Sequence, residues 1–350
     1  MKTKSAICAF ALVVAVAGVT HAQAESAVQA AAGNVVPVTV DNFNRAETDM
    51  YFGGSVTQAG LGTFHHFREP TPLDKQNVIR MNRDTLYSLS VFDLDAGPVT
   101  ITLPNAGQRF ISLQVIDEDH YTPEVVYEAG SYTFTREQIG TRYVTLGVRI
   151  LVNPTDSEDI KQVHALQDAM TVTQPGGPGR FEVPNWDQAS QKKVRDALLA
   201  LAETLPDTKR TFGARDQVDP VRHLIGTAFA FGGNPEKDAL YLNVTPSKND
   251  GTTVYRLSVK DVPVDAFWSI SVYNAEGYFQ KNVFDSYTLN SVTAKKHTDG
   301  SVAIQFGGCD GKIPNCLPTM LGWNYMVRLY RPRAEILKGT WAFPEAQAVR

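Results

Sequence analysis

The sequence predicts a mainly β protein with a helical connector (an α+β chain), built from two related antiparallel β-sandwich domains of jelly-roll type. Three observations lead there. Short runs of period-two alternation, punctuated by Gly, Pro and Asn, fill residues 78–152 and return over 239–343. Helical periodicity concentrates between them, over 157–232. Four short segments of the first β-rich stretch also recur, in the same order, in the second: `TLYSLSV` (85–91) with `TVYRLSV` (253–259), `FISLQVIDEDHY` (110–121) with `FWSISVYNAEGY` (267–278), `SYTF` (131–134) with `SYTL` (286–289), and `VRILVNP` (148–154) with `VRLYRP` (327–332). Singly these are chance-level similarities. Together they point to a duplicated and diverged topology.

The elements follow in order. Residues 1–24 read as a secretory signal: Lys2 and Lys4 precede a short apolar run, and `AQA` at 22–24 offers a small-x-small cleavage site. Cys8 lies inside the run without the Leu-x-x-Cys context of a lipid-modified cysteine; an uncleaved anchor is the alternative. Residues 25–40 read as a flexible N-terminal segment. The N-terminal β-sandwich domain, 41–156, opens with a helix over `VDNFNRAETDMYFGGSV`, capped by Asp41 or Asn42 and ended by Gly53-Gly54. Strands are expected at `TLYSLSVFDL`, `VTITLP`, `RFISLQVID`, `SYTFT` and `RYVTLGVRILV`. In the connector, 157–232, Ser157 is expected to cap a helix that ends before `QPGGPG`. A second helix covers `DQASQKKVRDALLALAETL`, and a third covers `DPVRHLIGTAFAF`, with Pro220 in its first turn. The C-terminal β-sandwich domain spans 233–346.

Charge narrows the partners. The formal net charge is −4. Residues 1–24 hold two lysines and no acids, so the remainder carries −4 − 2 = −6. Such a chain is a poor ligand for nucleic acid, and no apolar run after the signal is long enough to hold it in a membrane. In an oxidising compartment the nearby Cys309 and Cys316 of `GGCDGKIPNC` favour a disulfide; a zinc site would need further ligands, and no His lies near in sequence.

The two copies act as each other's control. Tyr121 with Tyr278, Arg149 with Arg328, and Asp117 with Asn274 occur in both and read as parts of the shared fold. Asp or Asn at a strand end commonly bonds to turn backbone. Residues found in one copy only are not demanded by topology. The leader `RMNRD` (80–84) stands where the second copy reads `PSKNDG`; Glu118 faces Ala275 and His120 faces Gly277. Alternation places Glu118 and His120 on the polar face of Ser112 and Gln114, expected to open to water or to a cleft. The candidate catalytic residues are therefore Asp84, Glu118 and His120, and the candidate substrate-binding residues Arg80, Asn82, Arg83 and Tyr87. Two carboxylates roughly 5–10 Å apart would suit glycosidic chemistry. The competing reading is an Arg–Asp network stitching strands together. His65 and His66 alternate across a strand and are poorly placed to share a metal, and `DEDH` (117–120) lacks the spacing of a calcium loop. No cofactor is expected. Glu47 and Asp49 read as capping and solvating the first helix. Trp268, Tyr273, Trp323 and Trp341 suit sugar stacking but more often fill a sandwich core.

`NFNRAETDMYF`, `VIRMNRDTLYSLSVFDL`, `VDAFWSISVYNAEGYFQKN` and `NCLPTMLGWNYMVRLYRPRAEILKGTWAFPEA` resemble the paired domain-of-unknown-function families 1254 (N-terminal) and 1214 (C-terminal). The resemblance implies exported β-sandwich proteins. It brings no reaction; on Asn82, Arg83, Asp84, Thr85 and Tyr87 it marks motif positions only. Where the family pattern has Trp in Asn-Trp-Leu-Pro, this chain has Cys316.

The function these readings favour is binding, with possible hydrolysis, of an envelope or extracellular glycan or glycoconjugate in a charged cleft of the N-terminal domain of a periplasmic or secreted protein. The alternatives are a non-catalytic envelope binding or scaffold module and a metal-dependent enzyme using His120.

Overall fold

The computed structural model describes residues 34–76 and 79–349. The signal, residues 25–33 and Val78 lie outside the described residues. The chain forms two compact units. One holds the described chain to Glu69 together with Thr85–Pro235; the other holds Pro70–Asp84 together with Glu236 onward.

The first unit contains α1 (Phe43–Ala59), β1 (His65–His66), β2 (Thr85–Asp93), β3 (Val99–Leu103), β4 (Ile111–Asp117), β5 (Glu124–Val126), β6 (Gly130–Phe134), α2 (Arg136–Ile139), β7 (Tyr143–Leu151), α3 (Ser157–Asp168), β8 (Thr171–Thr173), α4 (Gln188–Ala202) and α5 (Pro220–Phe229). Its strands form a sheet of order β1-β2-β7-β4-β5 and a smaller one of order β6-β3-β8. Leu113, Val115, Val148 and Ile150 of the large sheet share one buried core with Val99, Ile101, Leu103 and Phe134 of the small one. This is a sandwich packed by the inward half of each alternating strand.

The second unit contains β9 (Ala239–Val244), β10 (Tyr255–Val259), β11 (Trp268–Tyr273), β12 (Thr288–Asn290), β13 (Val302–Phe306), β14 (Cys316–Leu317), β15 (Asn324–Tyr330), α6 (Ala334–Leu337) and β16 (Gln347–Ala348). Its sheets run β12-β11-β15-β9 and β14-β13-β10-β16. Ile270, Val272, Val327 and Leu329 meet Tyr255, Leu257, Val259 and Ile304 in its core.

The two large sheets share one order. β2-β7-β4-β5 corresponds to β9-β15-β11-β12, antiparallel throughout. Even the register agrees: Ser112 pairs with Arg149, and Ser269 with Arg328. Two of the four sequence matches, on β4/β11 and β7/β15, therefore fall on equivalent strands. The other two do not. `TLYSLSV` is β2, whose equivalent by position is β9, whereas `TVYRLSV` lies on β10 in the other sheet. `SYTF` lies on β6 and `SYTL` runs into β12, again in different kinds of sheet. Period-two composition reports a half-buried strand and carries no information on which sheet it joins.

Local signals were partly displaced. The first helix runs through Gly53-Gly54 to Ala59 and stops at Gly60, which takes φ 84°. Asn42 sits at its start without capping it; the Asn42 side chain accepts instead from the Thr39 amide. Asp156, not Ser157, caps α3, and Asp187 and Asp219 cap α4 and α5 in the same way, each accepting from two backbone amides. Such caps contribute about 1 kcal/mol each. Residues 157–232, expected as a connector, lie within the first unit, where α4 and α5 pack on α1.

Cys309 and Cys316 form a disulfide. It closes a short loop, and chain-entropy arguments give about 2–3 kcal/mol for such a closure. A Cys309→Ser/Cys316→Ser double variant is expected to lose about that much unfolding free energy in urea titration; a loss under about 0.5 kcal/mol would show that the loop's own turns hold it closed.

Candidate functional site: buried polar sheet faces and a groove on α1

The polar face of each large sheet was expected to open to water or to a cleft. It is buried in both units: Ser112, Gln114 and Arg149 in the first, Ser269, Ser271 and Arg328 in the second. An arginine stands at the centre of each. Arg149 donates to the Gln114 side chain at 2.7 Å and to the Gly232 carbonyl at 3.4 Å, with Gln114 donating in turn to the Gly233 carbonyl at 3.0 Å. Its guanidinium lies 5.4 Å from the Tyr87 ring centre. Arg328 donates to Ser271 Oγ at 2.8 Å, to Tyr273 Oη at 2.6 Å, and to the carbonyls of Arg80 and Met81 at 2.9 and 3.1 Å.

The leader therefore has a structural task. It belongs to the second unit and covers that unit's polar face. The Arg80 amide donates to Gly277 O at 2.7 Å, and a Cβ on Gly277 would meet Ile79 at 3.1 Å, close enough that the strap would have to shift by a few tenths of an ångström. Asn82 accepts from the Asp84 amide at 2.7 Å and donates to Tyr330 Oη at 3.1 Å. Arg83 donates to the Thr71 carbonyl, with its guanidinium 5.5 Å from the Tyr287 ring centre. Asp84 is fully buried; its Oδ1 accepts from Thr288 at 3.0 Å and Asn290 at 3.3 Å. Burial raises its pKa, while the charge of Arg328 and the Ser269, Asn290 and Thr288 side chains pull it back. Asp84 is locked into a core network, with no open surface for a substrate. Because `TVYRLSV` is not the equivalent of β2, `PSKNDG` is not the equivalent of the leader. The segment in that position is `NPEKD` (234–238), immediately before β9.

Glu118 and His120 lie in the first unit. They follow β4 in a turn built identically in both units. The Asp117 amide donates to Tyr121 O at 3.0 Å while Asp117 Oδ1 accepts from the Tyr121 amide at 2.9 Å; Asn274 and Tyr278 repeat both bonds at 2.8 and 2.9 Å. The turn needs a left-handed residue, which is Gly277 (φ 92°) in one unit and His120 (φ 68°) in the other. That conformation costs a side-chain-bearing residue roughly 1–2 kcal/mol. His120 recovers it through hydrogen bonds. Its Nε2 accepts from the Gly232 amide at 2.8 Å, which fixes the proton on Nδ1, facing Thr227 Oγ1 at 2.9 Å. The ring stacks on Phe231 with centroids 4.4 Å apart. Burial, with His223 alongside, lowers its pKa well below the usual range. Neither nitrogen is left for a proton relay or a metal ion. Among the described residues no group of three or more His, Cys, Asp or Glu could hold a metal. Glu118 is tied as well: Oε2 accepts from the Tyr143 amide at 2.9 Å, and Oε1 lies 3.8 Å from Arg45. The proposed set of Arg80, Asp84, Glu118 and His120 thus divides between the units: hydrogen bonds hold Asp84, Glu118 and His120 within their own units, while the buried Arg80 guanidinium lies 5.5 Å from the Tyr273 ring centre with Nε and Nη1 lacking a hydrogen-bond partner among the described residues.

A groove of about 650 Å³ opens elsewhere on the first unit. One wall is α1 with Ala46, Asp49, Met50, Gly53 and Thr57; the others are 181–186 and the exposed side of α4. Glu47 and Asp49 are not solvating residues of that helix, being 0% and 2% exposed. Arg195 grips both oxygens of Glu47 at 2.6 and 2.5 Å, and Gln191 adds a bond at 2.9 Å. Asp49 has no such clamp. Its Oδ2 accepts from the Trp186 indole at 2.8 Å, and its Oδ1 is buried without a hydrogen-bond partner. Burial pushes the Asp49 carboxyl up to about 7; Glu118 and Asp119 push the same way, against the Trp186 hydrogen bond and Arg45. The sequence did carry a signal for this wall. Residues 46, 49, 50, 53 and 57 follow i, i+3, i+4 spacing, and they mix small, apolar and acidic side chains on one stripe.

Sandwich units of one sheet order, their polar faces sealed by chain segments, define a two-unit mainly β protein. The comparisons name the class more closely. Residues 61–174 match the model described as Protein of unknown function (DUF1254), and residues 240–334 match Protein of unknown function (DUF1214), so the chain carries both in the expected order. The crystal structure of the VPA0106 protein from Vibrio parahaemolyticus superposes with a TM-score of 0.72 at 18% identity, covering 89% of this chain and 98% of that one, and so shares the fold. An uncharacterized protein from Burkholderia cenocepacia gives 0.49 at 12% identity, over 89% of this chain and 87% of that one. No curated protein matches the sequence.

Two outcomes follow from this geometry. Asp84→Ala is expected to cost about 3–5 kcal/mol in chemical unfolding, because it strands the buried Arg328 charge; a catalytic role would instead leave stability intact. Asp49 titrates near 7 when folded and near 4 when unfolded, so the folded state holds an extra proton between those values. Its contribution to stability falls as pH rises through that window. The unfolding free energy of Asp49→Asn relative to the native chain should therefore grow from pH 4 to pH 8 by a few kcal/mol, on the order of the shift; a difference independent of pH would exclude the raised value.

Proposed function

We propose that this chain is an exported protein, periplasmic or secreted, whose first unit binds a glycan or glycoconjugate in the groove between α1, 181–186 and α4. The groove itself carries the reading. It combines an aromatic plate, Trp186, with Met50, Phe181 and Val183 for apolar contact and Gln188, Lys192 and Asp196 for hydroxyl groups. A pyranose ring presents that combination of an apolar face and a polar edge. Trp186 is held by its indole N–H on Asp49, so the plate is fixed before a ligand arrives. The disulfide suits an oxidising compartment, in keeping with the signal-like start of the sequence.

Binding is favoured over hydrolysis. A glycosidase needs two carboxyl groups converging on one bond, one able to give a proton and one free to attack or activate water. Asp84 and Glu118 are each already committed to internal donors. A metal-dependent route through His120 lacks a free ring nitrogen.

Calorimetric titration of the full chain with a panel of oligosaccharides tests the reading. At least one neutral or charged oligosaccharide is expected to bind, with Trp186→Ala weakening it at least tenfold while the variant keeps its unfolding midpoint within a few degrees. Unchanged affinity in Trp186→Ala, or no binding across the panel, would remove the proposal.

A further inference from the structure

We infer that the ligand of this groove carries a cationic amine, an amino sugar in the terms of the glycan reading on which this rests, and that its ammonium group pairs with Asp49. The charges around the groove lead to that conclusion. Lys192 is held by Asp196 at 2.6 Å, and Arg195 by both oxygens of Glu47. Arg45, one turn before Asp49 on α1, is directed to Asp119 at 2.8 Å and to Glu118 at 3.8 Å, and Arg215 takes the other oxygen of Asp119 at 3.0 Å. Both cations that line the groove, Lys192 and Arg195, thus already have a carboxylate, as do Arg45 and Arg215. Asp49 is the carboxylate on the wall that no cation grips, and one of its oxygens is buried with its hydrogen-bonding capacity unspent.

A buried carboxylate oxygen without a donor is costly, and proteins rarely leave one so. Three kinds of ligand group would meet it differently. A second carboxylate, as in a uronic acid, would be repelled by Asp49 and by the adjacent Glu118 and Asp119. A hydroxyl would satisfy the oxygen and leave the charge. An ammonium group would satisfy both, and a charge-assisted hydrogen bond in a partly dried site is about twice as strong as a neutral one. The surrounding surface suits it: the Trp186 ring attracts a nearby cation through its face, and Met50 and Phe181 exclude water. Burial, with Glu118 and Asp119 adding to it, raises the Asp49 carboxyl, so a bound cation would also favour release of its proton and restore the charge.

The test uses the full chain and three tetrasaccharides: a β-1,4-linked glucosamine oligomer, its fully N-acetylated counterpart, and an oligogalacturonate. The free amine is expected to bind at least tenfold tighter than the acetylated sugar, with the galacturonate weakest. Asp49→Asn, which keeps an oxygen for the Trp186 indole, should erase the preference for the amine over the acetylated sugar. Binding of the acetylated sugar as tight as that of the amine, or a preference that survives in Asp49→Asn, overturns the inference and leaves the glycan reading standing. Tightest binding by the galacturonate does the same. Failure of all three to bind overturns both.

Discussion

A guanidinium buried at the middle of a polar sheet face is the feature the rest of each unit is arranged around. Burying such a charge costs several kcal/mol unless its donors are matched. In both units the match comes from the same places: a side chain one strand away on the sheet, and carbonyls of a chain segment laid across the face. Arg149 takes Gln114 and Gly232; Arg328 takes Ser271, Arg80 and Met81. Removing the covering segment would strip each arginine of its carbonyl acceptors and open the polar face to water. The strap, the left-handed turn that receives it and the polar composition of the strands beneath are therefore one solution to one problem.

That solution explains the motif residues better than chemistry does. Asn82 shapes the strap by accepting the Asp84 amide, and Asp84 brings a carboxylate into the neighbourhood of Arg328. Gly277 lets the strap approach, and His120 plays the corresponding part in the other unit by accepting the Gly232 amide through its ring. A histidine and a glycine at matching positions look unrelated in sequence. Here they are two ways of accepting a backbone N–H at the same turn, Gly277 through its carbonyl and His120 through its ring.

How much was legible follows from the range of each interaction. The repeated Asp/Asn–x–x–x–Tyr turn, the duplicated sheet and the disulfide were readable, because each is written within a dozen residues or as alternation along a strand. The strap was misread as a one-sided addition, since a match of strand composition set β2 against β10, and composition does not encode sheet membership. Its unit could not be read at all: the carbonyls of residues 80 and 81 meet a donor far along the chain, and nothing local announces the partner. Glu47 and Asp49 were misjudged for a related reason. Acidic residues near a helix start usually face solvent, and the arginine that buries one of them comes from α4, 148 residues later. The exposed side of a groove is visible to sequence reasoning only as a stripe of mixed chemistry, which Ala46, Asp49, Met50 and Gly53 supply.

The separation between strap and arginine, 248 residues for Arg80 and Arg328, bears on how the polypeptide is made. On a ribosome the strap emerges well before the strand that carries its receptor. Until then Arg80–Asp84 has polar atoms and no sheet to lie on, and the second unit can close only after Arg328 has emerged. Long-range closure of this kind slows folding and prolongs exposure of unpaired strand edges. The protein should thus depend on late assembly, and on whatever keeps its nascent chain apart from its neighbours in the meantime, far more than its modest size suggests.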